Sequence, residues 1–248
     1  MSPVPQMPTR QLCFTCHKDF TTGMKDVHQP VNDGDCLDCH DPHQSPNKNL
    51  LVKSGNDLCL NCHDDPLGEG KFKHAAVEGG DCLDCHAPHA SNFKSLLKES
   101  VKATCYECHD DVVGKKKDVH QPVDDGDCTA CHSPHAGADK NLLIKSGESL
   151  CWECHDNFLE KAKFTHDVVD DCTGCHNPHA SDVSELLNKS VPSLCYDCHD
   201  PKDLAADKGH ANLAGKSCLD CHDPHSGDNA NLLKLAALGA NATKGTAP

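Results

Sequence analysis

Twenty cysteines and twenty histidines carry the chemistry legible in this 248-residue chain. Every cysteine falls in a Cys-x-x-Cys-His string. In chain order the ten strings are Cys13, Cys16, His17; Cys36, Cys39, His40; Cys59, Cys62, His63; Cys82, Cys85, His86; Cys105, Cys108, His109; Cys128, Cys131, His132; Cys151, Cys154, His155; Cys172, Cys175, His176; Cys195, Cys198, His199; and Cys218, Cys221, His222. Such a string can attach a c-type haem. Two thioether bonds hold the porphyrin edge, and the adjacent histidine meets the iron from one face. Ten strings use ten histidines and leave ten more: His28, His43, His74, His89, His120, His135, His166, His179, His210 and His225. The expected cofactor set is therefore ten covalent haems c, with string histidines proximal and the remainder distal.

Other uses of paired cysteines fit less well. Zinc ribbons combine two Cys-x-x-Cys knuckles but do not need a histidine directly after each. A disulfide framework or a thiol redox motif leaves the ten following histidines unexplained.

The strings repeat at two levels. First cysteines of alternate strings stand at 13, 59, 105, 151 and 195, and those of the interleaved set at 36, 82, 128, 172 and 218. This gives five dihaem modules of about 46 residues: 12–57, 58–103, 104–149, 150–193 and 194–240, followed by a loose tail over 241–248. In each module a lone histidine follows the first string by eleven residues, and x-Pro-His follows the second, as in Asp41-Pro42-His43. A leucine pair comes next, from Leu50-Leu51 to Leu232-Leu233. Above this lies a longer period. Asp26-Val27-His28-Gln29-Pro30-Val31 recurs as Asp118 to Val123, while Ala90-Ser91 recurs as Ala180-Ser181.

Positioning such ligands requires short elements. Cysteines and histidine at i, i+3 and i+4 share one helical face, so a brief helix is expected at each string. Ser54, Ser100, Ser146 and Ser190 stand where they could cap such helices. Pro42, Pro88, Pro134, Pro178 and Pro224 are expected to stop the helix just past the ligand. The leucine pairs should open or close a short helix covering a porphyrin. No alternating stretch is long enough for a sheet. The expected fold is mostly coil with short α-helices and negligible β: a haem-cored repeat array.

Axial ligands of one iron lie on opposite faces of the porphyrin. His43 is three residues after His40, so one turn of chain cannot place both on one haem. The expected pairing is within modules, His17 with His43 and His40 with His28. The alternative assigns the Pro-His residues to haems of the neighbouring module.

Composition narrows the setting. Hydrophobic residues make up 37%, a figure that includes all twenty cysteines, and there are six Phe, two Tyr and one Trp. That is thin for offsetting chain entropy, so folding should be coupled to haem attachment. The formal net charge of −15 argues against nucleic acid as a partner. Lys115-Lys116-Lys117, the sole basic run, reads as a solvated loop or a docking spot for an acidic redox partner. No stretch reaches the roughly 20 apolar residues of a membrane span. Residues 1–11 show no secretory signal, yet c-type haem is attached outside the cytoplasm. The expected location is periplasmic or extracellular, the signal being absent from this numbering.

Lone histidines alternating with Cys-x-x-Cys-His and Cys-x-x-Cys-His-x-Pro-His resemble the doubled CXXCH family of multihaem cytochromes c and the wider cytochrome c3-type group. The resemblance runs from about Leu12 to Leu238. It implies bis-histidine haem c and electron transfer in anaerobic or extracellular respiration, with other cytochromes or a quinol-linked membrane donor as partners. The haem count alone is shared with decahaem cytochromes seated in outer-membrane porins. Two further expectations stay open: a reductase with one open haem acting on metal ions or nitrogen oxides, and an end-to-end homo-oligomer forming an extracellular filament. Closed irons argue for a carrier and against an enzyme, so no catalytic residue is assigned.

Overall fold

The computed structural model describes residues 7–80, 82–210 and 215–234. The tail at 241–248 lies outside them. The fold is mostly coil, built from short helical turns and strands of two residues, on the repeat of about 46 residues. The chain forms two compact units: Met1–Asp111 with Asp125–Ile144, and Val112–Asp124 with Lys145–Pro248.

All ten strings adopt one local form. The histidine N–H donates to the carbonyl of the first cysteine four residues earlier, at 2.9–3.0 Å from His17→Cys13 to His222→Cys218. This single α-turn sets the two thiols and the imidazole on one side. At Cys36–Cys39 and Cys172–Cys175 the helix ends on the second cysteine, because His40 and His176 are already extended. The prolines therefore stand beyond an ending made earlier, not at it. Of the four serines, Ser100 caps its helix, accepting from the Ala103 N–H. At Ser54 and Ser146 the capping position falls one residue later, on Gly55 and Gly147.

The leucine pairs close short 3₁₀ turns at Lys48–Leu50, Lys94–Leu96 and Ser184–Leu186, as expected, but their backbone is not regular helix. The first leucine of each pair has left-handed backbone: Leu50, Leu96, Leu142, Leu186 and Leu232, with φ between 53° and 55°. Such backbone costs roughly 1–2 kcal/mol in a residue with a side chain. The strain folds the chain back onto its own haem string. Asp41 N–H donates to Leu50 O at 2.8 Å and Val52 N–H to Cys39 O at 3.0 Å, and the other four second strings repeat the pattern.

Eight two-residue strands appear among the described residues: β1 Asp26–Val27, β2 Phe72–Lys73, β3 Ala90–Ser91, β4 Asp118–Val119, β5 Ala136–Gly137, β6 Phe164–Thr165, β7 Ala180–Ser181 and β8 Ser226–Gly227. They form four antiparallel pairs, each joining a strand to one of the following module: β1 with β3 and β2 with β5 in the first unit, β4 with β7 and β6 with β8 in the second. Each pair places the segment before a lone histidine beside the segment after the next Pro-His. Side chains reinforce two of the joints: the Asp26 and Asp118 carboxylates accept from the N–H groups of Leu96 and Leu186.

Very little apolar surface is covered by polypeptide. Among the described residues only Ala180 and Leu232 are buried and apolar. The chain exposes 18210 Å², where a compact globule of this length would expose about 11,000 Å². No helix among the described residues is long and apolar enough to cross a membrane.

Candidate haem-binding site

The second string of each module aims its histidine through a backbone hydrogen bond. Nδ1 of His40 lies 2.9 Å from Asn49 O, and His86, His132, His176 and His222 make the same contact with Ser95, Asn141, Glu185 and Asn231 at 2.8–2.9 Å. A carbonyl only accepts, so Nδ1 carries the proton and Nε2 keeps its lone pair for a metal. This is the outer-shell contact that fixes a ligating imidazole. The left-handed turn presents the carbonyl, so the strain lies where it orients a ligand. Sequence reasoning missed these acceptors. Their side chains vary, and only the constant nine-residue offset marks them.

Imidazoles come together in pairs, nearly parallel in all but His86–His135, which is tilted by 35°. In the first unit His28 faces His63, His40 faces His89, His74 faces His109 and His86 faces His135, with ring centroids 5.9–6.3 Å apart. In the second, His120 faces His155, His166 faces His199, His176 faces His225 and His210 faces His222, at 6.0–6.1 Å. Two imidazoles bound trans to one metal at about 2 Å each would have centroids about 6 Å apart. The residues fit a six-coordinate iron between each pair.

The pairing departs from the in-module scheme. His40 meets His89 of the next module, not His28, and His28 meets His63. The strand pairs are the cause, because they carry each lone histidine and its Pro-His neighbour across the module boundary. His28 N–H donates to His89 O, and His28 Nδ1 contacts Pro88 O at 3.0 Å; His120 repeats both contacts with His179 and Pro178. Among these pairs only His210–His222 lies within one module. At the other end, His43 is 91% exposed and its ring touches no other imidazole; its nearest charged partner is Asp41. Among the described residues His17 has no ring partner.

Two aromatic side chains brace this array. Phe20 packs on His89 at 4.6 Å and Phe158 on His225 at 4.8 Å, backed by Phe14 and Trp152. Both follow a proximal histidine by three residues, a regularity visible in the sequence. Burial first, then neighbouring imidazoles, holds His89 and His135 below the usual histidine range, and burial does the same to His225. All three thus favour the neutral form that binds metal.

Successive strings are neighbours in space. The Cys36 thiol is pushed up by burial and then by Cys13, Cys39 by burial with a contribution from Cys62, and Cys59 by burial and then by Cys82. Cys85 is pushed up by burial and then by Asp84 and Glu107, with a contribution from Cys108, and Cys105 is raised to about 11 by burial and then by Cys128. In the second unit the same order runs Cys151 to Cys172, Cys175 to Cys198 and Cys195 to Cys218. Within each unit the attachment edges follow one another in chain order.

The doubled CXXCH motif matches residues 28–67, 74–114, 120–160, 166–204 and 210–244. The chain belongs to the doubled CXXCH family of multihaem c-type cytochromes. It therefore binds ten haems c covalently and transfers electrons. Each of the first four matches starts at a lone histidine and ends past the next module's first string. His28 and His63 thus fall in one family unit, the frame in which their rings meet. The Cys13 string precedes the first match, and the fifth holds the Cys218 string alone. No curated protein sequence matches the chain.

Proposed function

We propose that this cytochrome is an electron conduit, passing single electrons along haems arrayed in sequence order within each unit, with the irons between paired histidines closed on both faces and that of His17 open in the single chain. Bound haem supplies the reversible one-electron chemistry. The chain contributes placement, tuning and exclusion of side reactions. His17, His40, His63, His86, His109, His132, His155, His176, His199 and His222 serve as proximal ligands. His28, His74, His120 and His166 serve the first string of the following module, and His89, His135 and His225 the second string of the preceding one. His210 closes His222.

The observation that carries this reading is the set of eight imidazole pairs near 6 Å. Imidazoles held by backbone hydrogen bonds keep their geometry in both redox states, so little rearrangement accompanies each transfer. Double-histidine ligation also lowers potential relative to Met/His ligation, which suits an anaerobic or extracellular respiratory chain. The setting is periplasmic or extracellular, with other redox proteins as donor and acceptor.

A second reading, a reductase centred on the His17 haem, is favoured by the absence of a ring partner for His17 among the described residues. Carbon monoxide added to the reduced protein separates the two. Saturation at no more than one equivalent per chain, with electron transfer from a reduced donor unaffected, supports the conduit. Binding at several haems, or a bound substrate turned over at that haem, refutes it.

A further inference from the structure

We infer that two copies of this chain join head to tail by exchanging axial histidines: His210 of one copy closes the His17 haem of the next, and His222 takes His43 of that next copy as its distal ligand. This rests on the bis-histidine reading above.

The two pairing rules are regular inside each unit. A lone histidine faces the first-string histidine of the following module, four times out of four. A second-string histidine faces the following Pro-His, as in His40–His89, His86–His135 and His176–His225. Applied to module five, the first rule sends His210 to a first-string histidine and the second sends His222 to a Pro-His. Among the described residues module one offers one of each without a ring partner, His17 and the exposed His43. In the single chain His210 and His222 turn on each other instead.

Independent observations mark the same two ends. His28 and His120 rest Nδ1 on the carbonyls of Pro88 and Pro178, whereas the buried Nδ1 of His210 has no hydrogen-bond partner. The corresponding acceptor in a second copy is Pro42 O. The backbone N–H of His28, His74, His120 and His166 donates to a Pro-His carbonyl, but that of His210 falls back on Asp207 O. Strands β3, β5, β7 and β8 follow Pro-His in modules two to five; Gln44–Ser45, their counterpart in module one, belongs to no strand. In module five, Lys208–His210 is a 3₁₀ turn where the other modules place a strand. Each end holds half of the joint that recurs between modules.

The exchange gives up one iron–imidazole bond within a chain and forms two between chains, with no oxidant or reductant. It is a heterologous contact, so it propagates unless the rotation closes a ring. It would continue the haem row from one copy into the next.

The test uses haem-loaded protein and two variants, His43→Ala and His210→Ala, each with ten haems confirmed by mass. Wild type should form concentration-dependent oligomers by light scattering, and high-spin haem should fall from one per chain to none as they grow. Each variant alone can make only one of the two bonds and should assemble far more weakly than wild type. Mixed in equal amounts they should favour a one-to-one heterodimer, since only the intact tail of His43→Ala and the intact head of His210→Ala can make both bonds. That heterodimer also shows that both variants are folded. A wild type that stays monomeric, or variants that assemble as well as wild type, overturns the inference. A monomer without high-spin haem would place His43 on its own chain's His17 haem, also against it. If instead most haems of the wild type are high-spin at every concentration, the bis-histidine reading itself fails.

Discussion

At the scale of single residues, ligand assignment is countable. His40 and His89 face one another at 6.0 Å, and His28 lies with His63 instead. Removing His89 by substitution to Ala should create one high-spin haem, and His40→Ala/His89→Ala should still perturb only one. His28→Ala/His40→Ala should perturb two. Electron paramagnetic resonance of the oxidised protein counts them, and one perturbed haem in the last variant would restore the in-module pairing. The attachment sites were legible because three residue types at fixed spacing leave few other uses. Distal assignment was not, because a spacing tells how far a histidine can reach but not which iron it meets. The Nδ1 acceptors are backbone carbonyls of Asn49, Ser95, Asn141, Glu185 and Asn231, a role that any residue can fill.

At the scale of elements, two-residue strands and strained turns do the positioning. A two-residue strand carries no alternation, so no sheet could be read from the sequence. A trace of it was nonetheless present. Asp26-Val27 recurs at Asp118-Val119, and Ala90-Ser91 recurs at Ala180-Ser181; these repeated segments are the two halves of one joint. Asp118→Ala removes the acceptor of the Leu186 N–H and should cost about 1–2 kcal/mol. Faster hydrogen exchange at that amide, with Asp118→Asn intermediate, would check it. The left-handed leucines give a second expectation. Leu50, which is exposed, should tolerate glycine within about 1 kcal/mol, whereas valine there should cost about 2 kcal/mol because β-branching resists this backbone. Thermal melts of the two haem-loaded variants decide it, and equal losses would remove the strain argument.

At the scale of the whole molecule, the polypeptide supplies scaffolding and almost no interior. With Ala180 and Leu232 the buried apolar residues among those described, the covalent haems must provide the apolar mass that offsets chain entropy. Chain expressed without attachment machinery should show no cooperative thermal transition by circular dichroism, and the haem-loaded protein should show one; a sharp transition in haem-free chain would contradict this. The repeat and the coil-rich character followed from the string spacing. The two-unit division did not, because the joints linking modules are backbone contacts between segments some sixty residues apart in the chain.

An anomalous-scattering map at the iron edge, on crystals of the haem-loaded protein, bears most directly on the account. Within each unit the irons should follow the order of the strings, with His89 and His40 on opposite faces of the iron attached through Cys36 and Cys39. Irons out of chain order, or His28 and His40 sharing one metal, would contradict it.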